Sequence, residues 1–164
     1  RSKPDCAQCP VSEDCKAKAM ARQADYPGKK PRKVLPVKTT QMLLIQNPAG
    51  EILLEKRPDS GIWGGLWSLP ELDSDGDIAD YLDRQLGLEA GAEALAPLRH
   101  TFSHYHLDIH PQHIRLRREP ARIMEAGRQL WYKGGLQQPL GLAAPVKKLL
   151  DSLMHHDLLT EAQP

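Results

Sequence analysis

No apolar run in this chain of 164 residues approaches the ~20 residues that a bilayer-spanning helix needs. Nothing in it pairs a charged start with an apolar middle as a secretory signal does. We therefore expect a soluble, intracellular protein without membrane attachment. A dominant charge sign is also missing, with 22 Lys and Arg against 21 Asp and Glu, which excludes a blanket electrostatic grip on nucleic acid. The balance is uneven along the chain, because the first forty residues hold ten basic side chains and four acidic ones. A local basic arm and a solvated linker both fit that excess. Internal repeats and low-complexity tracts are absent. Cysteine is nearly so: all three lie between positions 6 and 15, an odd and clustered set that suits metal ligation in a reducing compartment better than a disulfide framework.

What remains is enough for one ordinary domain with an appendage, burying roughly two-thirds of the surface its unfolded chain exposes. Residues 1–25 hold the cysteines and a short Ala/Lys/Met/Arg stretch of helical character. Residues 26–38, beginning "YPGKKPRKVLP", carry Pro27, Pro31 and Pro36 among five basic side chains, and read as an extended tether. From Thr39 the pattern changes. "TQMLLIQN", the turn "PAG" and "EILLEKR" predict a β-hairpin, followed by the loop "PDSGIWGGLW" and a short strand around "SLPEL". Ile78, Tyr81, Leu82 and Leu86 predict a helix over 77–88, closed by Gly87. Strands are expected in "LRHTFSHYHLDIHP", broken by a turn, in "QHIRLRR" and in "GRQLWYK". A last helix starts with Pro145 in its first turn and presents Val146, Leu149, Leu150 and Leu153. The order β-β-β-α-β-β-β-α predicts an α/β sandwich around a mixed sheet over 39–158, with 159–164 as a tail.

Cys6, Cys9 and Cys15 follow C-x2-C-x5-C. Two thiolates separated by two residues can face one metal from a single turn, and a third is within reach one loop later. Structural zinc and iron–sulfur clusters take four ligands, so a fourth would have to precede Arg1 or be a histidine from elsewhere; the alternative is three unattached surface thiols. The spacing, the helical stretch and the tether together resemble the end of the iron–sulfur region of the A/G-specific adenine DNA glycosylases of the MutY type, whose pattern is C-x6-C-x2-C-x5-C. That resemblance implies Cys6, Cys9 and Cys15 as three 4Fe-4S ligands of an intact protein, and no cluster in this chain by itself.

"KRPDSGIWGGLWSLPE" sets Gly61, Gly64 and Gly65 around Trp63 and Trp67. Glycines allow unusual backbone and close approach, while tryptophans anchor, so a well-packed turn between strands is one reading. The stretch also resembles the adenine glycosylase C-terminal domain and, more distantly, the Nudix hydrolases. A Nudix hydrolase holds divalent cations with G-x5-E-x7-R-E-U-x-E-E-x-G-U, in which U is bulky and apolar. Here the helix offers Asp80, Asp83 and Arg84 but no glutamate. The expectation is a Nudix-like α/β/α sandwich with a mixed β-sheet that lacks the hydrolase chemistry.

"HTFSHYHLDIH" gathers His100, His104, His106 and His110 in eleven positions. On one strand His104, His106 and His110 would share a face, but alternate residues are about 6.6 Å apart and make poor common ligands unless the strand bends. Ser103, His104 and Asp108 supply the types of a hydrolase triad without a nucleophile elbow. A third possibility is that Phe102, Leu107 and Ile109 are core and the polar residues are merely exposed. "LRHTFSHYHLDIHP", "QLWYKGGLQQPLGLAAPVKKLL" and "RPDSGIWGGLW" all resemble, in order, the same glycosylase domain. The resemblance implies that Phe102, Ser103 and His104, with Tyr105 beside them, contact 8-oxoguanine opposite the adenine to be removed. Chemistry agrees: oxidation turns guanine N7 from acceptor to N–H donor and adds a carbonyl at C8, and a serine hydroxyl can answer either change. Phe102 or Tyr105 would wedge or stack against bases, and His104 would reach a phosphate.

The resemblance further implies double-stranded DNA with 8-oxoguanine:A mispairs as partner, an N-terminal catalytic domain of the same protein that performs base excision, a monomer, and a bacterial cytoplasmic setting near the nucleoid. No catalytic residue is expected in this chain, which alone should not release adenine. A divergent Nudix hydrolase of nucleoside diphosphate derivatives and a protein-docking role for the Trp63/Trp67 loop are the competing readings.

Overall fold

The computed structural model describes residues 4–26, 28, 34–120, 127–133 and 140–160, with side chains as far as 153. Two compact units divide it, Arg1–Val34 and Leu35–Pro164. In the first, the expected helical stretch is a single turn, α1 (Lys16–Ala19), with no buried residue to lengthen it. A 3-10 turn at Gln23–Asp25 follows, tied by an Arg22–Asp25 ion pair at 2.8 Å. Of the tether expected over 26–38, residues 27 and 29–33 lie outside the described residues, as do 161–164 of the expected tail.

The second unit contains β1 (Val37–Gln46), β2 (Ile52–Lys56), β3 (Trp67–Ser68), β4 (Glu71–Asp73), α2 (Ile78–Leu86), β5 (Ala92–Ala94), β6 (Leu98–Thr101), β7 (His106–Arg115), β8 (Gln129–Tyr132) and α3 (Ala144–Thr160). The strands form one mixed sheet ordered β3-β2-β1-β7-β5, with β4 also on β1, β6 on β7 and β8 on β2. β1 and β7 run parallel over ten residue pairs, Val37↔His106 to Gln46↔Arg115, every other pairing between these strands is antiparallel, and Trp67 of β3 makes an isolated parallel bridge with Leu142.

Period-two alternation along the central strands feeds both faces of the sheet. Met42 and Leu44 of β1, Leu54 of β2 and Ile109 of β7 point to one face, where Val146, Leu149, Leu150 and Leu153 of α3 cover them. Leu43, Ile45, Leu53 and Ile114 point to the other, against Leu82 and Leu86 of α2. This is the expected α/β/α sandwich. Helix α2 is locally specified at both ends. Asp77 Oδ1 accepts the amides of Ala79 and Asp80 at 2.8 and 3.3 Å, and Gly87 closes the C-terminus at φ +64°. No helix among the described residues is long and apolar enough to cross a membrane.

Three details differ from expectation. The strand at "SLPEL" is two strands: Pro70 has no N–H to give a ladder, its carbonyl accepts from Leu43 at 2.9 Å, and the chain passes there from pairing with β2 to pairing with β1. β5, an exposed Ala-Glu-Ala, has no apolar pattern and is a strand because β7 offers it a free edge. β7 runs unbroken through Pro111, where two strands separated by a boundary were expected. A residue's N–H and C=O leave a strand on the same side, and the Pro111 carbonyl accepts from Leu95 at 3.0 Å. The missing N–H therefore faces the gap between β5 and β6, not β1.

Candidate functional site

The β6–β7 hairpin closes with Thr101 opposite His106 and with the Phe102 amide donating to the Tyr105 carbonyl at 2.9 Å. Ser103 and His104 form the connection between them. Neither has a positive φ, so the turn does without glycine. Both side chains are exposed, and Ser103 Oγ lies 3.3 Å from His104 Nδ1. The protonation of that nitrogen decides the serine's role. A bare Nδ1 accepts the hydroxyl proton and leaves the oxygen's lone pairs for a ligand, whereas an Nδ1–H donates to the oxygen and frees the hydroxyl as donor.

Beneath the exposed pair is an aromatic stack. Tyr105 is 5% exposed and belongs to the core on the α3 side of the sheet. Burial pushes its phenol up from the ordinary value; the Glu71 charge adds to this and Arg57 opposes it. The Phe102 ring, half-buried, rests 4.7 Å from Tyr105 by centroids, and Lys38 Nζ lies 5.0 Å from the Tyr105 ring. Of the four residues singled out in the sequence, the structure thus presents Ser103 and His104 to solvent and makes Tyr105 a buttress. A stacking role for Tyr105 against bases does not agree with its burial.

The histidines do not form a nest. His104 sits in the turn and does not share the β7 face with His106 and His110. His100, on β6, packs edge-on against Phe102 at 4.6 Å. His106 Nδ1 meets Thr101 Oγ1 at 2.9 Å. Asp108, needed for a triad, is instead held by Arg99 through two bonds of 2.6 and 2.7 Å. That pairing holds its carboxyl below the usual range, with smaller help from His110 and His106. Among the described residues no three His, Cys, Asp or Glu side chains are grouped to hold a metal ion.

Sequence reasoning missed Arg57, which follows β2. Its Nε donates to the Ile62 carbonyl at 3.0 Å, its Nη1 meets Glu71 Oε1 at 2.5 Å, and its guanidinium lies 5.7 Å from the Trp63 ring. Glu71 is bonded again by Ser68 Oγ at 3.2 Å. The one available signal was a basic residue at the entry of a glycine-rich loop, which is too common to single out. Trp63 has φ +56°, a left-handed conformation that costs a non-glycine residue about 1–2 kcal/mol. A Cβ on Gly64 would fall 2.4 Å from the Asp59 carbonyl oxygen, so the loop closes tightly there. The conformation lays the Trp63 indole 5.2 Å from Phe102 and 5.5 Å from His100.

Two candidate metal regions can be tested on their donors. On α2, Asp80 pairs with Arg84 at 2.8 Å, Asp77 caps the helix and Asp83 is exposed, so the element does not gather three carboxylates at one place. Cys6, Cys9 and Cys15 are half-buried free thiols, and the structure does not gather the three into a group able to hold a metal.

Residues 41–152 match the NUDIX domain family. An adenine DNA glycosylase of Buchnera aphidicola subsp. Acyrthosiphon pisum (strain APS) is 28% identical over 151 residues, 92% of this chain and 43% of that protein. Another, from subsp. Baizongia pistaciae (strain Bp), is 27% identical over 161 residues, covering 96% and 46%. The chain spans less than half the length of these curated relatives. Among solved structures, the C-terminal domain of mouse MUTYH, crystallised with human PCNA, matches with a TM-score of 0.59 at 20% identity over 73% of this chain and 88% of that one. The MutT protein of Methanosarcina mazei Go1 matches with a TM-score of 0.53 at 16% identity, over 77% and 99%. At such identities the structural likenesses carry the fold alone.

Proposed function

This chain belongs to the NUDIX domain family, and from that premise we propose that it is the lesion-reading part of an adenine DNA glycosylase acting in base excision repair in the bacterial cytoplasm. It recognises 8-oxoguanine opposite adenine in double-stranded DNA, while hydrolysis of the adenine N-glycosidic bond falls to another domain of the same protein. Similarity to adenine DNA glycosylases over nearly the whole chain supports the family-level activity. The observation that carries the recognition reading is the exposed Ser103–His104 pair on a turn whose aromatic base is fixed in the core.

The chemistry needs little more than that turn. With His104 Nδ1 accepting the serine proton, Ser103 Oγ faces outward as an acceptor, complementary to the N7–H of 8-oxoguanine and mismatched to the bare N7 of guanine. An unmatched buried polar contact costs about 1–3 kcal/mol, or roughly tenfold to a hundredfold in preference. Cys6, Cys9 and Cys15 would supply three ligands of a 4Fe-4S cluster in the longer protein, with no part in this step. On this reading the hydrolysis falls to the other domain, so this chain alone is expected to release no adenine.

The test is Ser103→Ala combined with His104→Ala in the full-length glycosylase, with adenine release measured on 8-oxoguanine:A and G:A duplexes. The lesion preference should fall toward unity. Equal loss on both substrates would remove the sensor role. Two observations bear on the competing readings: among the described residues no three His, Cys, Asp or Glu side chains are grouped to hold a hydrolase's metal, and the Trp63 ring is engaged by Phe102, His100 and Arg57.

A further inference from the structure

The tryptophan–glycine loop, prominent in the sequence, has no task in lesion reading as proposed so far. Its geometry is nevertheless directed at the hairpin. The neck is shut by backbone bonds, with the Arg57 amide donating to Leu66 at 2.9 Å and the Gly65 amide to Pro58 at 3.0 Å. From within, the Arg57 side chain grips the Ile62 carbonyl, one residue before the left-handed Trp63. A bulky residue stays in that conformation only where its surroundings over-determine it, and such residues cluster where strain serves a site.

The strained conformation delivers the indole to Phe102. Apart from its side-chain packing, the turn is tied by one backbone bond between Phe102 and Tyr105. Tyr105 supports Phe102 from one side, while Trp63 and His100 bound it elsewhere. We infer that Trp63, locked by Arg57, is a positioning residue for Ser103 and His104. It fixes the Phe102 ring and so fixes the direction in which the hydroxyl and imidazole leave the tip. The inference rests on the lesion-reading proposal, because discrimination by one hydrogen bond requires its donor and acceptor to be held within about 0.5 Å. Trp63 acts through Phe102 and touches no DNA.

The experiment places Trp63→Leu and Trp63→Phe in this chain, measures 15N relaxation at the Ser103 and His104 amides, and then titrates duplexes carrying 8-oxoguanine:A or G:A. Trp63→Leu should leave the core methyl spectrum intact, raise the fast mobility of the two amides, and cut the ratio of the two affinities by about tenfold. Trp63→Phe, which keeps an aromatic face on Phe102, should preserve both. If Trp63→Leu does not fold, Arg57→Lys keeps the indole but loses the fork that holds Ile62 and Glu71, and should loosen the same two amides. Tip amides as ordered in Trp63→Leu and Arg57→Lys as in the unsubstituted chain would overturn the brace and leave lesion reading untouched. Equal binding of both duplexes by the unsubstituted chain, with the tip loosened in Trp63→Leu, would uphold the brace and overturn lesion reading.

Discussion

Ser103 Oγ and His104 Nδ1 lie 3.3 Å apart at the exposed end of the β6–β7 hairpin, so the proton on one sets the hydrogen-bonding sense of the other. An outward-facing acceptor favours the lesion; an outward-facing donor does not distinguish it as well, because guanine N7 accepts.

On the proposed reading, Ser103→Ala by itself should therefore carry most of the loss in discrimination, about tenfold or more, because it removes the oxygen proposed to meet the lesion. His104→Ala should weaken discrimination less, since the hydroxyl remains but loses its fixed sense. Single-turnover adenine release on 8-oxoguanine:A and G:A by the full-length protein separates the two. A larger effect from His104→Ala would assign the contact to the imidazole.

Gly64→Ala should destabilise the second unit by about 1–3 kcal/mol, because the new methyl meets the backbone carbonyl of Asp59 and not a movable side chain. Gly91→Ala, where nothing lies within 4 Å of the added carbon, is the matched control and should be close to neutral. Urea midpoints compare them. Similar midpoints for the two variants would mean that the loop yields.

Asp77→Ala should cost about 1 kcal/mol, since it strips the cap from the Ala79 and Asp80 amides at the start of α2. Asp77→Asn should recover most of that loss. A shift in urea midpoint for the alanine variant, absent in the asparagine variant, checks the assignment.

Tyr81 donates its phenol proton to Glu55 Oε1 at 3.1 Å, and burial, then the Glu55 charge and this bond, push its pKa far above the ordinary 10.0. The folded state thus favours the neutral phenol. Its contribution to stability is complete below about pH 10, where the unfolded chain's tyrosine is also protonated, and is lost as pH rises above that. Wild-type stability should fall more steeply than that of Tyr81→Phe between pH 9.5 and about 11. Parallel curves would show that the phenol ionises without consequence.

Magnesium should neither raise the thermal midpoint of this chain nor enable phosphate release from nucleoside diphosphate derivatives. The reason lies on α2, where Asp80 is paired with Arg84 and Asp77 is bound to backbone amides. Magnesium-dependent phosphate release would overturn this expectation.

The sequence by itself determined whatever is encoded over a few neighbouring residues. Asp77 and Gly87 punctuate a helix wherever that helix is placed, and "NPAG" between two apolar runs makes a hairpin, because caps and turns are satisfied by nearby atoms. The Phe102–Tyr105 turn was legible on the same grounds. The tertiary structure decided everything that depends on which edge or face a segment meets. It made Ala92–Ala94 a strand through β7, split the chain at Pro70 between β1 and β2, and let β7 run through Pro111 where no partner needed its N–H. It also divided one histidine-rich stretch among a turn, an aromatic stack and a paired strand, and set Trp63 and Arg57 behind Phe102. Such contacts join residues far apart in the chain, and their energy appears only when the sheet brings them together, so no local pattern could announce them.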